Sequence, residues 1–283
     1  MQLSIVIPAK NEQQGLQKIL PGLISTYPQA EVIVVDDGST DDTAAIASQL
    51  GAKVISHPYS KGNGASIKTG ARAASGEFIV FMDGDGQHQP ADVQRLIEKS
   101  AQGFDMVVGA RSSASQASVA RWFGNGLYNV LASKIVGHRV EDLTSGLRIV
   151  RAALFRKFLY LLPNGFSYPT TITMAFFRAG YSVTYIPIVA DKRLGKSHIR
   201  IVRDGARFLI IIFKIATLYS PLKLFLPFSL VFFLLGLLYY SYTYVVFNSF
   251  TNMTLLLFVT SVLIFLMGLI SEQITSLIYR DDH

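Results

Sequence analysis

The amino-acid sequence predicts an α/β domain with a mostly parallel sheet, followed by an interfacial amphipathic helix and two C-terminal transmembrane helices. Short β-branched apolar segments alternate with helical segments through the first 198 residues, which is the pattern of repeated βαβ units. Two uncharged apolar segments follow, from Leu224 to Phe247 and from Met253 to Ile270. Each is close to the roughly 20 apolar residues that cross a bilayer. We therefore divide the chain into a domain of residues 1–198, an interfacial helix of residues 199–221 and a hairpin of residues 222–283 with a short tail.

Five strands are expected in the N-terminal domain, because apolar runs there end at turn-forming or acidic residues. They cover residues 3–7, 31–35, 53–56, 78–82 and 106–108. Helices are expected after each of the first four strands. Asn11 and Ser39 are placed to cap the first two helices, with Gln14 and Asp42 completing capping boxes. The third and fourth helices are expected over residues 65–74 and 92–101.

Acidic residues stand at the carboxyl ends of two predicted strands, where parallel sheets bind their ligands. Asp36 and Asp37 follow the second strand, and Asp83 and Asp85 follow the fourth. Two carboxylates one residue apart repel each other unless a cation lies between them, and hard oxygen ligands suit Mg²⁺ or Mn²⁺. The sequence therefore predicts a divalent metal that holds a substrate diphosphate, with a plain Asp-Gly turn as the alternative.

Charge near the apolar segments predicts the orientation of the membrane part. Arg200, Arg203, Arg207 and Lys214 fall on one stripe of a helix, which favours a helix lying in the interface over one packed on the soluble domain. The link of residues 248–252 has no Lys or Arg, so both termini and the large domain are expected in the cytoplasm. Met1 leads directly into the first predicted strand, so we expect no signal peptide. The net charge of +7 is assigned to anionic lipid and not to nucleic acid.

Five motifs in order resemble the family 2 glycosyltransferases with the Rossmann-like GT-A fold, in particular the dolichyl- or polyprenyl-phosphate sugar synthases. They run from Ile7 to Glu12, Val34 to Ser39, Lys61 to Gly64, Met82 to His88 and Asp142 to Arg148. The resemblance covers about residues 3–198, and a C-terminal pair of spans is similar to that of many bacterial members.

The resemblance implies a donor site at the strand ends. Its donor-binding residues would be Pro8, Ala9, Asn11, Glu12, Asp36, Asp37, Lys61, Gly62, Gly64 and Asp83. The two glycines would let the backbone approach the diphosphate. Asp83, Asp85 and Gln87 would contact the metal, and Asp83, Asp85, Arg111 and Arg121 would carry the catalysis.

An acceptor-phosphate site is also implied, made of Arg111, Arg121, Asn125, Arg193 and Ser197. Arginine suits this task because its fork pairs with two phosphate oxygens. Ser197 and His198 stand where many relatives carry Ser-Lys, so the role of this pair is open. Ser118 stands four residues before Trp122, where processive synthases have Gln in their Gln-x-x-Arg-Trp motif. This difference argues against a polymer-extruding enzyme.

The resemblance implies inverting transfer of one sugar from a UDP- or GDP-linked donor to an undecaprenyl- or dolichyl-type phosphate at the cytoplasmic membrane face, with Mg²⁺ or Mn²⁺ as cofactor. A phosphate monoester is already anionic at pH 7 and needs no strong general base. One alternative is a membrane glycosyltransferase acting on a lipid or protein hydroxyl, with Asp142 as general base. Another is a non-catalytic sugar-nucleotide-binding scaffold. The sequence leaves the sugar, the lipid length and the number of copies in an assembly open, and it places Glu272 near the cytoplasmic interface.

Overall fold

The computed structural model describes residues 2–111, 136–165, 167–189 and 219–278, with residues 126, 129, 130, 132–134, 213 and 217. The chain forms two compact units, Met1–Arg200 and Ile201–His283. Most of the predicted interfacial helix of residues 199–221 lies outside the described residues, so that helix stays a prediction.

The first unit is an α/β domain. Its described strands are β1 (Leu3–Ala9), β2 (Glu31–Asp36), β3 (Lys53–Ser56), β4 (Phe78–Phe81), β5 (Met106–Arg111), β6 (Arg148–Arg151) and β7 (Val183–Ile188). Its described helices are α1 (Gln13–Thr26), α2 (Thr43–Gln49), α3 (Asn63–Ala73), α4 (Pro90–Ser100), α5 (Ala152–Lys157) and α6 (Tyr168–Arg178). All five predicted strands are present, and β5 extends further than expected, to Arg111.

The strands form one mostly parallel sheet in the order β3-β2-β1-β4-β6-β5-β7. Strand β6 runs antiparallel to both of its neighbours, β4 and β5. Every residue of β1 and β4 is buried, as expected for central strands covered on both faces. The sheet therefore confirms the predicted fold class. It also contains one reversed strand, β6, between β4, which Asp83 follows by two residues, and β5, which ends at Arg111.

The predicted caps of the first two helices are wrong. Glu12 and Asp42 occupy the N-cap positions of α1 and α2, and neither side chain makes a capping hydrogen bond. Asn11 has a positive φ of 54°; its Oδ1 accepts the Thr40 backbone N–H at 2.8 Å, and its own N–H donates to Ser39 Oγ at 2.9 Å. Asn11 and Ser39 thus tie the loops after β1 and β2 to each other.

The second unit contains two helices that are long and apolar enough to cross a membrane, α7 (Pro221–Phe247) and α8 (Asn252–Ile278). Small buried residues recur at every seventh position on both helices: Ser229, Gly236 and Thr243 on α7, and Thr254, Ser261, Gly268 and Thr275 on α8. Small residues let helix backbones approach closely within lipid. The hydroxyls of Ser229 and Ser261 donate to each other's backbone carbonyls at 3.0 and 2.9 Å.

Glu272 on α8 accepts a hydrogen bond from the first turn of α7. Its Oε2 accepts the backbone N–H of Leu222 at 3.1 Å. Leu222 is the second residue of α7, whose first four N–H groups have no acceptor within the helix, and the N-cap Ser220 makes no side-chain cap. A carboxylate at a helix N-terminus is also favoured by the helix dipole. Glu272 therefore joins the two helices through a cap supplied from the neighbouring helix.

We predict that Glu272→Leu destabilises the hairpin by about 1 kcal/mol, the usual cost of losing an N-cap. The measurement is the SDS concentration that unfolds the full chain in mixed dodecyl maltoside micelles, followed by circular dichroism. Ser241→Ala is the control, because the exposed Ser241 hydroxyl bonds only within its own helix, to the Leu237 carbonyl. Equal midpoints for the wild type and Glu272→Leu would contradict this role of Glu272.

Candidate functional site

The carboxyl ends of β1, β2, β4 and β5 meet at one edge of the sheet. Strand β1 pairs in parallel with β2, so that Ala9 lies beside Asp36, and it also pairs in parallel with β4. Because β6 is antiparallel to both β4 and β5, β5 points in the same direction as β4. The structure therefore brings Asp36, Asp83 and Arg111 to the same edge.

The turn after β4 presents two acids and is packed tightly against α1. Asp83 is half-buried and Asp85 is buried; Asp85 Oδ1 accepts the Gln87 backbone N–H at 3.2 Å. A Cβ atom at Gly15 of α1 would lie 2.1 Å from the Gly84 carbonyl oxygen, so only glycine fits there. This contact fixes the turn and with it the spacing of the two carboxylates.

The loop before β6 packs directly against the Asp83 carboxylate. A Cβ atom at Gly146 would lie 2.6 Å from Asp83 Oδ2. The same loop carries Asp142 and Thr144, which bind Arg111 at the end of β5. The 142–147 loop is therefore the part of the chain that connects Asp83 with Arg111.

Arg111 and Asp142 form a two-point ion pair. Arg111 Nε donates to Asp142 Oδ2 at 2.8 Å and Nη2 donates to Oδ1 at 3.1 Å and to Thr144 Oγ1 at 2.7 Å. The backbone N–H of Thr144 also donates to Asp142 Oδ1, at 3.0 Å. Within the part of the chain that is described, Arg111 Nη1 has no acceptor, and a third of the Arg111 side chain is exposed. One edge of the guanidinium thus remains for a ligand.

The ion pair also sets the pKa of each partner. Burial alone would raise the pKa of Asp142, but the Arg111 guanidinium and backbone N–H groups hold it below its ordinary value. Burial opposes the charge of Arg111, yet Asp142, with Asp83 and Asp85, raises the pKa of Arg111. Asp142 is therefore a carboxylate whose two oxygens both accept from Arg111, and it is poorly suited to take a proton from a substrate.

Asp37 holds the loop after β3 in place. Its buried carboxylate accepts from His57 Nδ1 at 2.8 Å, Ser60 Oγ at 2.7 Å, and the backbone N–H groups of Lys61 and Gly62 at 2.8 and 2.9 Å. Burial would raise the pKa of Asp37, but these donors lower it to about 2. The structure thus gives Asp37 a role in positioning the loop, and its contact with a nucleoside stays a prediction.

Gly62 and Gly64 are explained by packing within the protein. A Cβ atom on Gly62 would lie 2.4 Å from the carbonyl oxygen of Asn164, and one on Gly64 would lie 2.1 Å from the carbonyl oxygen of Pro163. Gly62 also has a φ of +103°, which side chains rarely adopt. The backbone of residues 163 and 164 leaves no room for a side chain at either position, which accounts for both glycines without a ligand. The contact with a diphosphate expected at these glycines therefore stays a prediction.

Of the remaining predicted residues, one group is described by the structure and the other lies outside the described residues. Pro8 and Ala9 are the buried last residues of β1, Asp36 accepts the Ser39 N–H at 3.1 Å, and Lys61 is exposed beside the Tyr59 ring. Arg121, Asn125, Arg193 and Ser197, with His198, lie outside the described residues, and their roles stay predictions.

Arg148, the first residue of β6, is fully buried beside this site, and the sequence alone assigns it no role. The available signal was a charged residue beginning an apolar strand, in Leu147-Arg148-Ile149-Val150. Buried arginine is rare unless it is paired, so such a pattern is typical of a residue with a specific task.

The acids after β4 fit a divalent ion that arrives with a substrate. Their oxygens are the hard ligands that Mg²⁺ and Mn²⁺ prefer. Among the residues that the structure describes, no three His, Cys, Asp or Glu side chains are grouped to hold a metal. The metal contacts expected of Asp83, Asp85 and Gln87 therefore stay a prediction, in which phosphate oxygens and water would fill the other positions around the ion.

Comparison with known proteins assigns both parts of the chain. Residues 4–160 match the family Glycosyl transferase family 2. Residues 220–277 match the family GtrB C-terminal hairpin.

Curated relatives share about a third of the aligned residues. An undecaprenyl-phosphate 4-deoxy-4-formamido-L-arabinose transferase of Pseudomonas fluorescens is 30% identical over 60% of this chain and 55% of its own length. The chain thus spans about half of that relative. A polyprenol monophosphomannose synthase of Mycolicibacterium smegmatis is 28% identical over 75% of this chain and 84% of its own length.

Solved structures confirm the fold. The glucosyl-3-phosphoglycerate synthase of Mycobacterium tuberculosis, crystallised with Mn²⁺, uridine diphosphate and phosphoglyceric acid, superimposes with a TM-score of 0.61 at 22% identity, over 76% of this chain and 78% of its own. At this identity the likeness establishes the GT-A-type architecture of the first unit.

We predict that Asp37→Asn destabilises the first unit by about 2 kcal/mol at neutral pH, from the difference between its ordinary pKa and the lowered one. Because the pKa is lowered in the folded state, the stabilisation is present above about pH 4 and is lost as the pH falls through about 2. Thermal unfolding of the full chain in detergent, from about pH 7 to pH 2, checks this. The variant should show a lower midpoint at neutral pH and less acid dependence, whereas the exposed control Glu98→Gln should match the wild type. An unchanged midpoint for Asp37→Asn at neutral pH would refute the role of Asp37 in holding the loop.

Proposed function

Because the chain belongs to glycosyl transferase family 2, we propose that it transfers a single sugar from a nucleotide-sugar to a polyprenyl phosphate. Relatives named as undecaprenyl-phosphate and polyprenol transferases support the acceptor class. The match of residues 220–277 to the GtrB C-terminal hairpin supports a membrane-bound enzyme. The proposal keeps the three-part division at residues 198 and 221 and the cytoplasmic position of the catalytic domain.

The Arg111–Asp142 ion pair is the observation that carries this proposal. A hydroxyl acceptor needs a general base whose pKa lies near the working pH and whose oxygen can reach the proton. Asp142 was the residue expected for that role, but its pKa is lowered and both of its oxygens accept from Arg111. A phosphate acceptor needs no such base, since its oxygen is already anionic. The site therefore suits a phosphate better than a hydroxyl.

In the proposed reaction, a phosphate oxygen of the lipid attacks the anomeric carbon of the sugar. The bond between that carbon and the diphosphate breaks, and nucleoside diphosphate leaves with the electron pair. In-line displacement inverts the anomeric configuration. Arg111, whose Nη1 has no acceptor among the described residues, would orient the acceptor phosphate through charge-assisted hydrogen bonds. Arg121, Asn125, Arg193 and Ser197 are proposed to complete that acceptor site.

Asp83, Asp85 and Gln87 are proposed to hold the divalent ion of the donor complex. Bound there, Mg²⁺ or Mn²⁺ would neutralise the charge of the departing diphosphate. The nucleoside would lie toward the ends of β1 and β2, at Pro8, Ala9, Asn11, Glu12 and Asp36. The protein's contribution is then mainly positioning and charge balance.

We predict that membranes containing the full chain, undecaprenyl phosphate and Mn²⁺ incorporate radiolabel into the lipid extract from one of three donors: UDP-glucose, UDP-N-acetylglucosamine or GDP-mannose. Asp85→Asn should reduce that incorporation about 100-fold or more, because the metal loses a charged ligand. Glu77→Gln, an exposed acid just before β4 and away from the site, should transfer at the wild-type rate. Wild-type incorporation by Asp85→Asn would rule out the metal role, and a lack of label from every donor would count against the function.

We also predict that Asp142→Asn lowers kcat/KM for undecaprenyl phosphate about 10- to 100-fold, because Arg111 loses its fixed orientation. The pH profile of the residual activity should keep its rise near pH 6, which belongs to the acceptor phosphate. If that rise disappears in Asp142→Asn, Asp142 acts as a general base and the hydroxyl-acceptor alternative gains.

A further inference from the structure

Arg148 places a fully buried guanidinium beneath the site. Its strand, β6, lies between β4 and β5, and Arg148 is aligned with Phe81 of β4 and Val108 of β5. Phe81 precedes Asp83 by two residues, and Val108 precedes Arg111 by three. Arg148 is therefore one layer below both the acidic turn and the Arg111–Asp142 ion pair.

No carboxylate pairs directly with Arg148 among the described residues. Its Nη1 donates to the Pro169 carbonyl and to Thr173 Oγ1, both at 3.0 Å, and its Nη2 donates to the Ser145 carbonyl. A buried charge without an ion-pair partner costs stability. Burial lowers the pKa of Arg148, and its charge interacts with Tyr168, Tyr185, Asp142 and Asp83.

Three buried polar atoms close to Arg148 also lack hydrogen-bond partners within the described part of the chain: Ser145 Oγ, Arg148 Nε and Tyr185 Oη. Tyr185 and Arg148 are both aligned with Val108, from opposite sides of β5, so the two side chains share one face of the sheet. Unsatisfied buried polar groups are rare in folded proteins. Their concentration at this point indicates that the local arrangement serves the site more than stability.

The Ser145 carbonyl links Arg148 to the reacting groups. Ser145 lies in the 142–147 loop, between Thr144, which accepts from Arg111, and Gly146, which lies against the Asp83 carboxylate. Holding this carbonyl fixes the loop at its middle. Other bonds hold the two ends of the loop: Thr170 Oγ1 donates to the Leu143 carbonyl at 3.4 Å, and the Gly109 N–H donates to the Leu147 carbonyl at 2.9 Å. The bond from Arg148 to the Ser145 carbonyl holds the middle of the loop, between the residues that contact Arg111 and the glycine that lies against Asp83.

We propose that Arg148 is a positioning residue for the transfer reaction, holding the 142–147 loop so that Asp83 and Arg111 keep their relative positions. The expected effect on kcat rests on the proposed function, whereas the anchoring of the loop by Arg148 does not depend on it. Arginine suits this task because two separate nitrogens carry the donors, Nη2 toward Ser145 and Nη1 toward Pro169 and Thr173 of α6. Lysine has a single nitrogen on a flexible stem and lacks this rigid, planar spacing of donors.

The test compares Arg148→Lys with a matched control, Arg156→Lys. Arg156 also donates from Nε and Nη2 to backbone carbonyls, those of Ala71 and Ala74 at the end of α3, but it takes no part in the 142–147 loop. Both variants are made in the full chain in detergent, and kinetic constants are expressed per folded protein.

Arg148→Lys should lower kcat about 10- to 100-fold, as expected for misplaced reacting groups, while the donor KM changes by less than about threefold. Amide hydrogen exchange in peptides covering residues 142–147 should become faster. Arg156→Lys should leave kcat, the donor KM and the exchange of residues 142–147 unchanged.

Gly146→Ala provides a second variant that leaves Arg148 intact. Its added methyl group would meet the Asp83 carboxylate, so kcat should fall while the rest of the loop keeps its slow exchange. A wild-type kcat for Gly146→Ala would contradict the link between the loop and Asp83.

The outcomes separate this inference from the proposed function. Unchanged exchange at residues 142–147 in Arg148→Lys overturns the anchoring role, whether or not transfer is observed. A wild-type kcat for Arg148→Lys overturns the positioning role. A wild type that transfers no sugar from any donor refutes the proposed function, while faster exchange in Arg148→Lys would still support the anchoring.

Discussion

The ion pair between Arg111 and Asp142 is the interaction on which the site depends. It joins the last residue of β5 to the loop before β6, and that loop in turn packs on the Asp83 carboxylate. The pairing keeps Asp142 ionised and occupied, and it leaves one edge of the Arg111 guanidinium for a ligand. Among the described residues, the site offers fixed charges, and Asp142 is held by Arg111 and not available as a base. This arrangement suits the proposed acceptor, whose phosphate is already anionic.

Much of the fold could be predicted because local signals agreed with the final structure. The segment Val32-Ile33-Val34-Val35, for example, has the β-branched composition of a strand and is buried in the structure as a strand. The acids after β2 and β4 lie at the edge of the sheet where parallel sheets bind their ligands. The reversed strand β6 and the role of Arg148 were missed, because β6 has only four residues and its place between β4 and β5 is decided by tertiary pairing. The same limit explains Gly62 and Gly64, whose neighbours at Pro163 and Asn164 are about a hundred residues away in sequence. Asn11 and Ser39 have good capping side chains, yet they bind each other's loops instead.

The two-helix unit follows a different physical logic from the α/β unit. Most of the exposed large side chains of its two described helices are apolar. Two polar contacts join the helices, Ser229 with Ser261 and Glu272 with Leu222, while hydroxyls such as that of Ser241 bond within their own helix. Such pairing is what a lipid environment demands, since unsatisfied polar groups are costly there. The match to the GtrB C-terminal hairpin over residues 220–277 agrees with this design.

The central claim is that the acceptor atom is a phosphate oxygen of a polyprenyl phosphate. Phosphorus-31 NMR of the purified lipid product, recorded across a pH titration, tests it most directly. The account predicts a phosphodiester resonance that no longer titrates near pH 6, because the oxygen that gave the monoester its second pKa now carries the sugar. A purified lipid product that contains the transferred sugar but no such phosphodiester resonance would contradict the account, because the sugar would then be attached to a hydroxyl group of another acceptor.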